Sequence, residues 1–320
     1  MDVAGLVPGA HEGKGRGNQF LDDLRQADAF IHIIDVSGST DDNGNPVEAL
    51  SHDPSRDIEF LDYELDMWYY QILSKGWRRF AKQVRQENLN IKQAIGKQLS
   101  GLKVTEDDVE NSIKKLKLSH NPEEWSDRDL RELSSELRKT KPMIIAANKL
   151  DIEGAFYKLE KLQKKFNNYL IMGCSAEIEF ALREAAKKKL IEYVPGDEDF
   201  KIIGNPNEKQ KKGLEFIKEY LKKNKTTGVQ EIINKVIFEM LDYIAVYPGG
   251  VNKLEDSKGN TLPDCFLMKN GSTALDFAYR LHTDFGDNFI KAIDVKNKRP
   301  VGKDYRLKNK DVIEIMYKKN

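Results

Sequence analysis

The chain has 320 residues, 39% of them hydrophobic and 32% charged, with 52 basic side chains balanced by 52 acidic ones. That length can bury more than one core, and a net charge of zero excludes a global field for nucleic acid or membrane, leaving any such preference to local patches. Two cysteines, Cys174 and Cys265, are too few for a disulfide framework and point to a reducing cytoplasm; no apolar run reaches the length of a membrane span and no basic-then-apolar leader opens the chain.

The chain opens on Asp2-Val3-Ala4-Gly5-Leu6-Val7-Pro8-Gly9, runs through a loop with Gly13, Gly15 and Gly17, and reaches an apolar stretch at Phe20-Leu21. An acid three residues before a glycine, at the mouth of a strand–loop–helix unit, suits a Mg²⁺–phosphate site. The carboxylate of Asp2 holds the metal shell and the backbone of Gly5 approaches an oxygen. A Gly-rich loop ending in Gly-Lys-Ser/Thr is absent; the nearest match, Gly13-Lys14-Gly15, has no hydroxyl after the lysine.

Ala29 to Asp35 reads as a parallel strand covered on both faces. A polar turn around Asn43-Gly44 follows, and Asp53-Pro54-Ser55 opens a long helix with Ile58, Leu61, Leu65, Trp68 and Ile72 on one seam. Trp68, Tyr69, Tyr70 and Trp77 at helical spacing read as core rather than as a base-stacking platform. Helices continue to about Thr140, with a capping box at Thr105 and a helix start at Ser126, so residues 55–140 form a helical insertion. Lys114, Lys115 and Lys117 form a solvated face or an RNA contact.

Met143 to Ala147 is the next buried strand, and it ends in Asn148-Lys149-Leu150-Asp151. Asn-Lys-x-Asp is the guanine-recognition signature of P-loop GTPases. The Asp151 carboxylate accepts from the ring N–H and exocyclic amine of guanine, a pair that adenine does not offer. The Asn148 amide binds the base and ties loops together, and the Lys149 stem lies over the purine. Tyr169 to Met172 is a short strand running into Cys174-Ser175-Ala176, the second guanine loop of such proteins, where the Ala176 N–H meets the base oxygen. The acid–glycine motif, Asn-Lys-x-Asp and Ser-Ala come in that order, each beside an apolar strand.

Beyond Lys189 come loops around Phe200–Ile203, then a helix with Leu214, Ile217 and Leu221. A second amphipathic helix carries Val229, Ile232, Val236 and Met240 as the last helix on the sheet. From Tyr243 the style changes. Strands at 244–247, 265–268, 289–295 and 312–317, with a helix after Gly271-Ser272-Thr273-Ala274, make an α+β unit. Residues 291–310 hold eight basic side chains (Lys291, Lys296, Lys298, Arg299, Lys303, Arg306, Lys308, Lys310) against Asp294 and Asp304, a solvated strand face or an RNA-phosphate patch. His11 lies in the first loop, at the surface or near a nucleotide; His32, His52, His120 and His282 show no metal-ligand spacing.

The run from Asp2 through Phe20-Leu21, with Asn148-Lys149-Leu150-Asp151 and Ser175-Ala176, resembles the Obg-related, YchF-type GTPases, closest to their archaeal and fungal branch. The first run is similar to their second switch. Gly271-Ser272-Thr273-Ala274-x-Asp276-Phe277-Ala278 resembles the TGS domain, a β-grasp module. The resemblance implies an α/β fold: an incomplete P-loop GTPase domain at 1–54 and 141–242, interrupted by the helical insertion, and a TGS domain at 243–320. It implies GTP and Mg²⁺ as ligands, with Asp2 on the metal and Gly5, Asn148, Lys149, Asp151, Ser175 and Ala176 on the nucleotide. It also implies a cytoplasmic protein linked to the ribosome or RNA in translation, with no membrane role and no DNA specificity. Leu6 stands where Ras-like GTPases place a water-orienting glutamine, so hydrolysis is expected to be slow without a partner, and no catalytic base is named. The missing P-loop marks the chain as an expected piece of a longer GTPase. A non-enzymatic RNA- or ribosome-binding module acting through the TGS domain is the alternative.

Overall fold

The computed structural model describes residues 24–251, 254–255, 259, 261–262 and 264–318. The chain divides into two compact units, Met1–Ile232 and Ile233–Asn320. Asp2, Gly5, Leu6 and the glycine loop lie outside the described residues.

In the first unit β1 (Phe30–Asp35) is followed by five helices: α1 (Ser55–Ser74), α2 (Trp77–Gln86), α3 (Ile91–Gln98), α4 (Glu106–Leu116) and α5 (Asp127–Lys139). Capping boxes at Thr105 and Ser126 start α4 and α5; in each, the hydroxyl accepts from the third N–H and the Asp there reaches back. The seams of these helices close one core around Leu65, Trp68, Tyr69, Leu73, Ile95, Leu133 and Leu137. Trp77 stacks on Trp125 at 5.3 Å between ring centroids, so these aromatics are packing groups. Helices α1 and α5 lie side by side. Tyr70 donates to Asp127, and at the other end Arg138 meets Asp66 and Asp62 at 2.8 and 3.2 Å, so the pair is antiparallel.

The chain then returns to the sheet as β2 (Met143–Asn148), followed by α6 (Ala155–Lys165), β3 (Leu170–Gly173) and α7 (Ala176–Lys187). The sheet order is β1-β2-β3, all parallel, with Phe30 opposite Met143, Asp35 opposite Asn148 and Ala147 opposite Gly173. This register brings the ends of the three strands level. One face packs Ile34, Ile145, Ala147 and Ile171 against Ile58 of α1 and Leu159 and Leu162 of α6.

The expectation that β1 is covered on both faces is corrected. Ile34 is buried, but Ile31 and Ile33 are 41% and 66% exposed. β1 is an edge strand of the three, and helices cover the Ile34 face; β2, with Met143 to Ala147 all buried, is the strand enclosed on both sides.

A small antiparallel pair, β4 (Ile191–Glu192) and β5 (Lys201–Ile202), precedes α8 (Glu208–Asn224). The amphipathic run after Gly228 is not one continuous α-helix, as its periodicity predicts. α9 (Val229–Asn234) gives way to a π-helical turn, Lys235–Met240, and only Ile232 and Val236 are buried along it.

The second unit has β6 (Tyr243–Pro248), β7 (Phe266–Lys269), α10 (Ala274–Leu281), α11 (Thr283–Asp287), β8 (Phe289–Asp294), β9 (Arg299–Val301) and β10 (Asp311–Tyr317). The sheet order is β7-β6-β10-β8-β9, with β6 and β10 parallel and the other neighbours antiparallel. Phe277 and Ala274 of α10 pack on Ile244, Val246, Ala292 and Ile313. This is the α+β unit expected; the short β9, inside the basic run, is an addition. Among the described residues no helix is long and apolar enough to cross a membrane.

Candidate functional site

Because β1, β2 and β3 are parallel and in register, their C-terminal ends deliver three loops to one edge, where open α/β sheets place their ligands. Backbone bonds zip these loops together. Val36 N–H donates to Asn148 O at 3.0 Å, Leu150 N–H to Cys174 O at 3.0 Å, and Cys174 N–H to Ala147 O at 2.9 Å. Ser175 N–H reaches Thr227 O at 2.9 Å, and its hydroxyl caps α7 by accepting from Ile178 N–H. Gly228, at φ +80°, lets the chain before α9 press on this loop: a Cβ there would stand 2.2 Å from Gly173 O.

The structure therefore brings Asn148, Lys149, Asp151, Ser175 and Ala176 together. Asn148 Oδ1 accepts from the Ala176 N–H at 2.9 Å, joining the two loops. That N–H, assigned from sequence to the base oxygen, is engaged within the protein. Lys149 sits in the left-handed region at φ +66°, a strained position for a lysine that turns the chain sharply out of β2. Its Nζ lies 2.8 Å from Asp35 Oδ2 and 3.0 Å from Ser39 Oγ. Asp151 Oδ1 is buried and has no hydrogen-bond partner among the described residues. A buried carboxylate oxygen without a donor is costly unless a ligand supplies one.

The electrostatics follow the packing. Burial would raise the Asp35 pKa, but the Lys149 ammonium and the hydroxyls of Ser37, Thr40 and Ser39 outweigh it and hold the carboxyl well below the usual range. The Cys174 thiol is pushed up to about 12, by burial first and by the Asp151 carboxylate second. Burial, then the charge of Asp151, likewise raises the phenol of Tyr220 on α8, whose hydroxyl is also buried with no hydrogen-bond partner among the described residues.

Two groups at this edge were not singled out from sequence. One is the cradle around Asp35: Ser37 Oγ at 2.5 Å, Thr40 Oγ1 at 2.8 Å and Ser39 Oγ at 2.9 Å all donate to its carboxylate. The signal was in the chain, an acid closing an apolar strand and followed by Ser-x-Ser-Thr. The other is Glu179, 4% exposed, which accepts from Arg183 at 2.6 Å, Thr227 at 2.7 Å and Tyr193 at 2.9 Å. Arg183 is its i,i+4 neighbour on α7, an ordinary helical pair, and the Thr227 and Tyr193 partners come from other elements, so no local pattern announces the network. In the second unit all eight side chains of the basic run are exposed; Arg299 is 3.4 Å from Asp294 and Arg306 donates to Gly271 O.

Known proteins resemble this chain in sequence and fold. A family model described as "Obg-like GTPase YGR210-like, G4 motif-containing domain" matches residues 146–250, and a TGS domain model matches 258–317. A GTP-binding protein of Methanocaldococcus jannaschii is 51% identical over 320 residues, covering 99% of this chain and 80% of its own length. A ribosome-binding ATPase, YchF, of Buchnera aphidicola is 24% identical over 99% of this chain and 80% of its own length. The crystal structure of a GTP binding protein from Pyrococcus horikoshii superposes with a TM-score of 0.67 at 42% identity, covering 93% of this chain and 81% of that one. With a parallel sheet, an Asn-Lys-x-Asp loop and a C-terminal TGS domain, the chain belongs to the YchF-type, Obg-related family of GTP-binding proteins.

Proposed function

We propose that this chain holds a guanine nucleotide at the C-terminal edge of β1-β2-β3, with Asp151 reading the base. The observation that carries this reading is the buried, partnerless Asp151 Oδ1, two residues beyond a strained turn and beside the Ser175–Ala176 loop. Guanine offers two adjacent N–H donors to such a carboxylate; adenine offers none in that place, so the wrong base leaves the charge unpaired. Lys149 is anchored at its tip by Asp35, which lays its stem along the loop as a wall for the purine. Asn148 and Ser175 hold the two loops in register. Asp2 and Gly5 act on the phosphate side, with Asp2 on Mg²⁺ through water, and hydrolysis is slow because Leu6 orients no water.

The test is a titration with fluorescent GTP and ATP analogues in the presence of Mg²⁺. Saturable GTP binding that ATP competes at least about a hundredfold more weakly is expected from a carboxylate-read base. Equal binding of the two, or none at millimolar nucleotide, overturns it.

The exposed basic run on β8, β9 and the strand-connecting loops supports a second reading, contact with RNA phosphates such as those of the ribosome. Each Lys or Arg engaged there releases counterions, so RNA binding by the full chain is expected to weaken steeply with salt. Salt-independent binding, or binding unchanged by Lys296→Glu and Lys298→Glu together, contradicts it.

A further inference from the structure

From the loop between β1 and α1 we infer that Asp42, His52 and Asp57 form a binding site for a divalent transition ion of the Zn²⁺–Mn²⁺ class. The site uses other residues of the loop that leaves β1 and does not depend on the nucleotide reading.

One ligand atom from each of these residues falls within 4.8 Å of the others. His52 Nε2 lies 3.6 Å from Asp42 Oδ1 and 3.6 Å from Asp57 Oδ1. Both separations are beyond hydrogen-bond reach, and the nitrogen is buried with no hydrogen-bond partner among the described residues. The imidazole side chain is only 7% exposed. A buried ring nitrogen facing two carboxylates, yet bonded to neither, has room between them for something else. Two metal–ligand bonds of about 2.1 Å meeting at about 120° span the 3.6 Å observed.

The surroundings suit coordination. Arg56 Nη2 holds the other oxygen of Asp42 at 2.7 Å, leaving Oδ1 directed at the histidine and offsetting part of the negative charge. Asp57 is fixed in the first turn of α1. The His52 backbone is pinned on both sides: its N–H donates to Gly38 O at 3.1 Å and its carbonyl accepts from Lys158 Nζ at 2.5 Å. Gly38, at φ +59°, has no room for a side chain there, since a Cβ would stand 2.2 Å from His52 O. One imidazole and two carboxylates favour a borderline ion over Mg²⁺, which prefers an all-oxygen shell. Water completes the coordination at the half-exposed Asp42 side. The ion staples the tip of the loop to the start of α1, and through Gly38 stiffens the segment that cradles Asp35.

The experiment is calorimetric titration of the full chain, stripped with chelator and free of nucleotide, with ZnCl₂ and MnCl₂. A Cys265→Ser background removes the exposed thiol as a competing zinc ligand. One equivalent is expected to bind, with a rise in melting temperature. His52→Ala and Asp57→Asn are expected to weaken it at least about tenfold, while Glu48→Gln, an exposed acid on the same loop, leaves it unchanged. Circular dichroism confirms that each variant is folded. Absence of binding up to millimolar metal in the folded parent chain, or a His52→Ala titration matching the parent, overturns the assignment and leaves a buried histidine between two acids.

Discussion

Lys149 and Asp35 join the ends of two neighbouring strands through a 2.8 Å ion pair, with the lysine backbone in the left-handed region and the carboxylate side chain 9% exposed. The aspartate accepts four hydrogen bonds from side chains at once, counting Lys149, Ser37, Ser39 and Thr40. All of those groups donate, so the site demands an anion. Asp35→Asn puts an amide N–H against these donors and is expected to cost about 2–4 kcal/mol of stability, read from urea unfolding. Lys149→Ala removes the anchor and the purine wall together, with a fall in GTP affinity of at least about tenfold. A Lys149→Ala chain that binds GTP normally contradicts the role given to the pair.

Asp151→Asn keeps shape and volume but exchanges one acceptor for a donor. Guanine's exocyclic amine then meets an N–H, while xanthine, with a carbonyl at that position, meets a partner. GTP affinity is expected to fall at least about a hundredfold and that for xanthosine triphosphate to rise. Competition binding with both nucleotides decides it.

The two cysteines should separate in reactivity. Cys174 is buried and its thiol is pushed up to about 12, so almost none is thiolate at pH 8. Cys265 is exposed. Titration with a disulfide reagent at pH 8 is expected to show one fast thiol, lost in Cys265→Ser, and a second only on denaturation. Two fast thiols in the native chain contradict the packing of the Cys174 loop.

Glu179 couples pH to the Ser175–Ala176 loop. Burial would raise its pKa, but hydrogen bonds from Thr227, Arg183 and Tyr193 outweigh it and leave the folded pKa lowered. A lowered carboxyl pKa contributes stability that is complete above the unfolded value of about 4.3 and is lost as pH falls through the folded value. Glu179→Gln is expected to destabilise the chain by about 2 kcal/mol at pH 7 and by progressively less as pH drops below about 4. His32, which burial lowers to about 4, also removes stability in acid, as the unfolded chain takes up a proton from about pH 6.5 downward. It does so equally in parent and variant, so the difference between their stability curves isolates Glu179. A gap that stays constant from pH 7 to 3 counts against the network.

The strands of the parallel sheet and the Asn148–Asp151 and Ser175–Ala176 loops could be read from sequence because their signals are local. Met143 to Ala147 is a short apolar run ending in polar residues of fixed spacing, and Thr105, Ser126 and Thr273 announce helices through boxes four residues long. Solvent exposure of Ile33 could not be read that way, since an edge strand and a central one carry the same apolar letters. Nor could the π-helical turn at Lys235–Met240, where the helical period continues in the sequence while the backbone departs from it. The Asp35 cradle is local except for Lys149, which the sheet brings to it, whereas the Thr227 and Tyr193 partners of Glu179 and the Asp42–His52–Asp57 cluster depend on the tertiary fold. His52 in particular carries no ligand spacing along the chain, yet α1 brings Asp57 to it.

The antiparallel pairing of α1 with α5 has a kinetic corollary. β1 and β2 zip from Phe30–Met143 onward, but the whole helical bundle is threaded between them. Closing so long a loop as free coil is slow, and the entropy lost precedes any strand contact. Once α1 and α5 dock, the bundle no longer counts as free coil, and the loop still to be closed shrinks to residues 36–54 and 140–142. The bundle therefore acts as the folding clasp for the sheet. Leu133→Ala, at a fully buried bundle position far in sequence from the guanine loops, is expected to retard refolding of the sheet as well as to weaken the helices. Stopped-flow refolding that leaves the folding rate untouched and accelerates only unfolding places the clasp after the rate-limiting step.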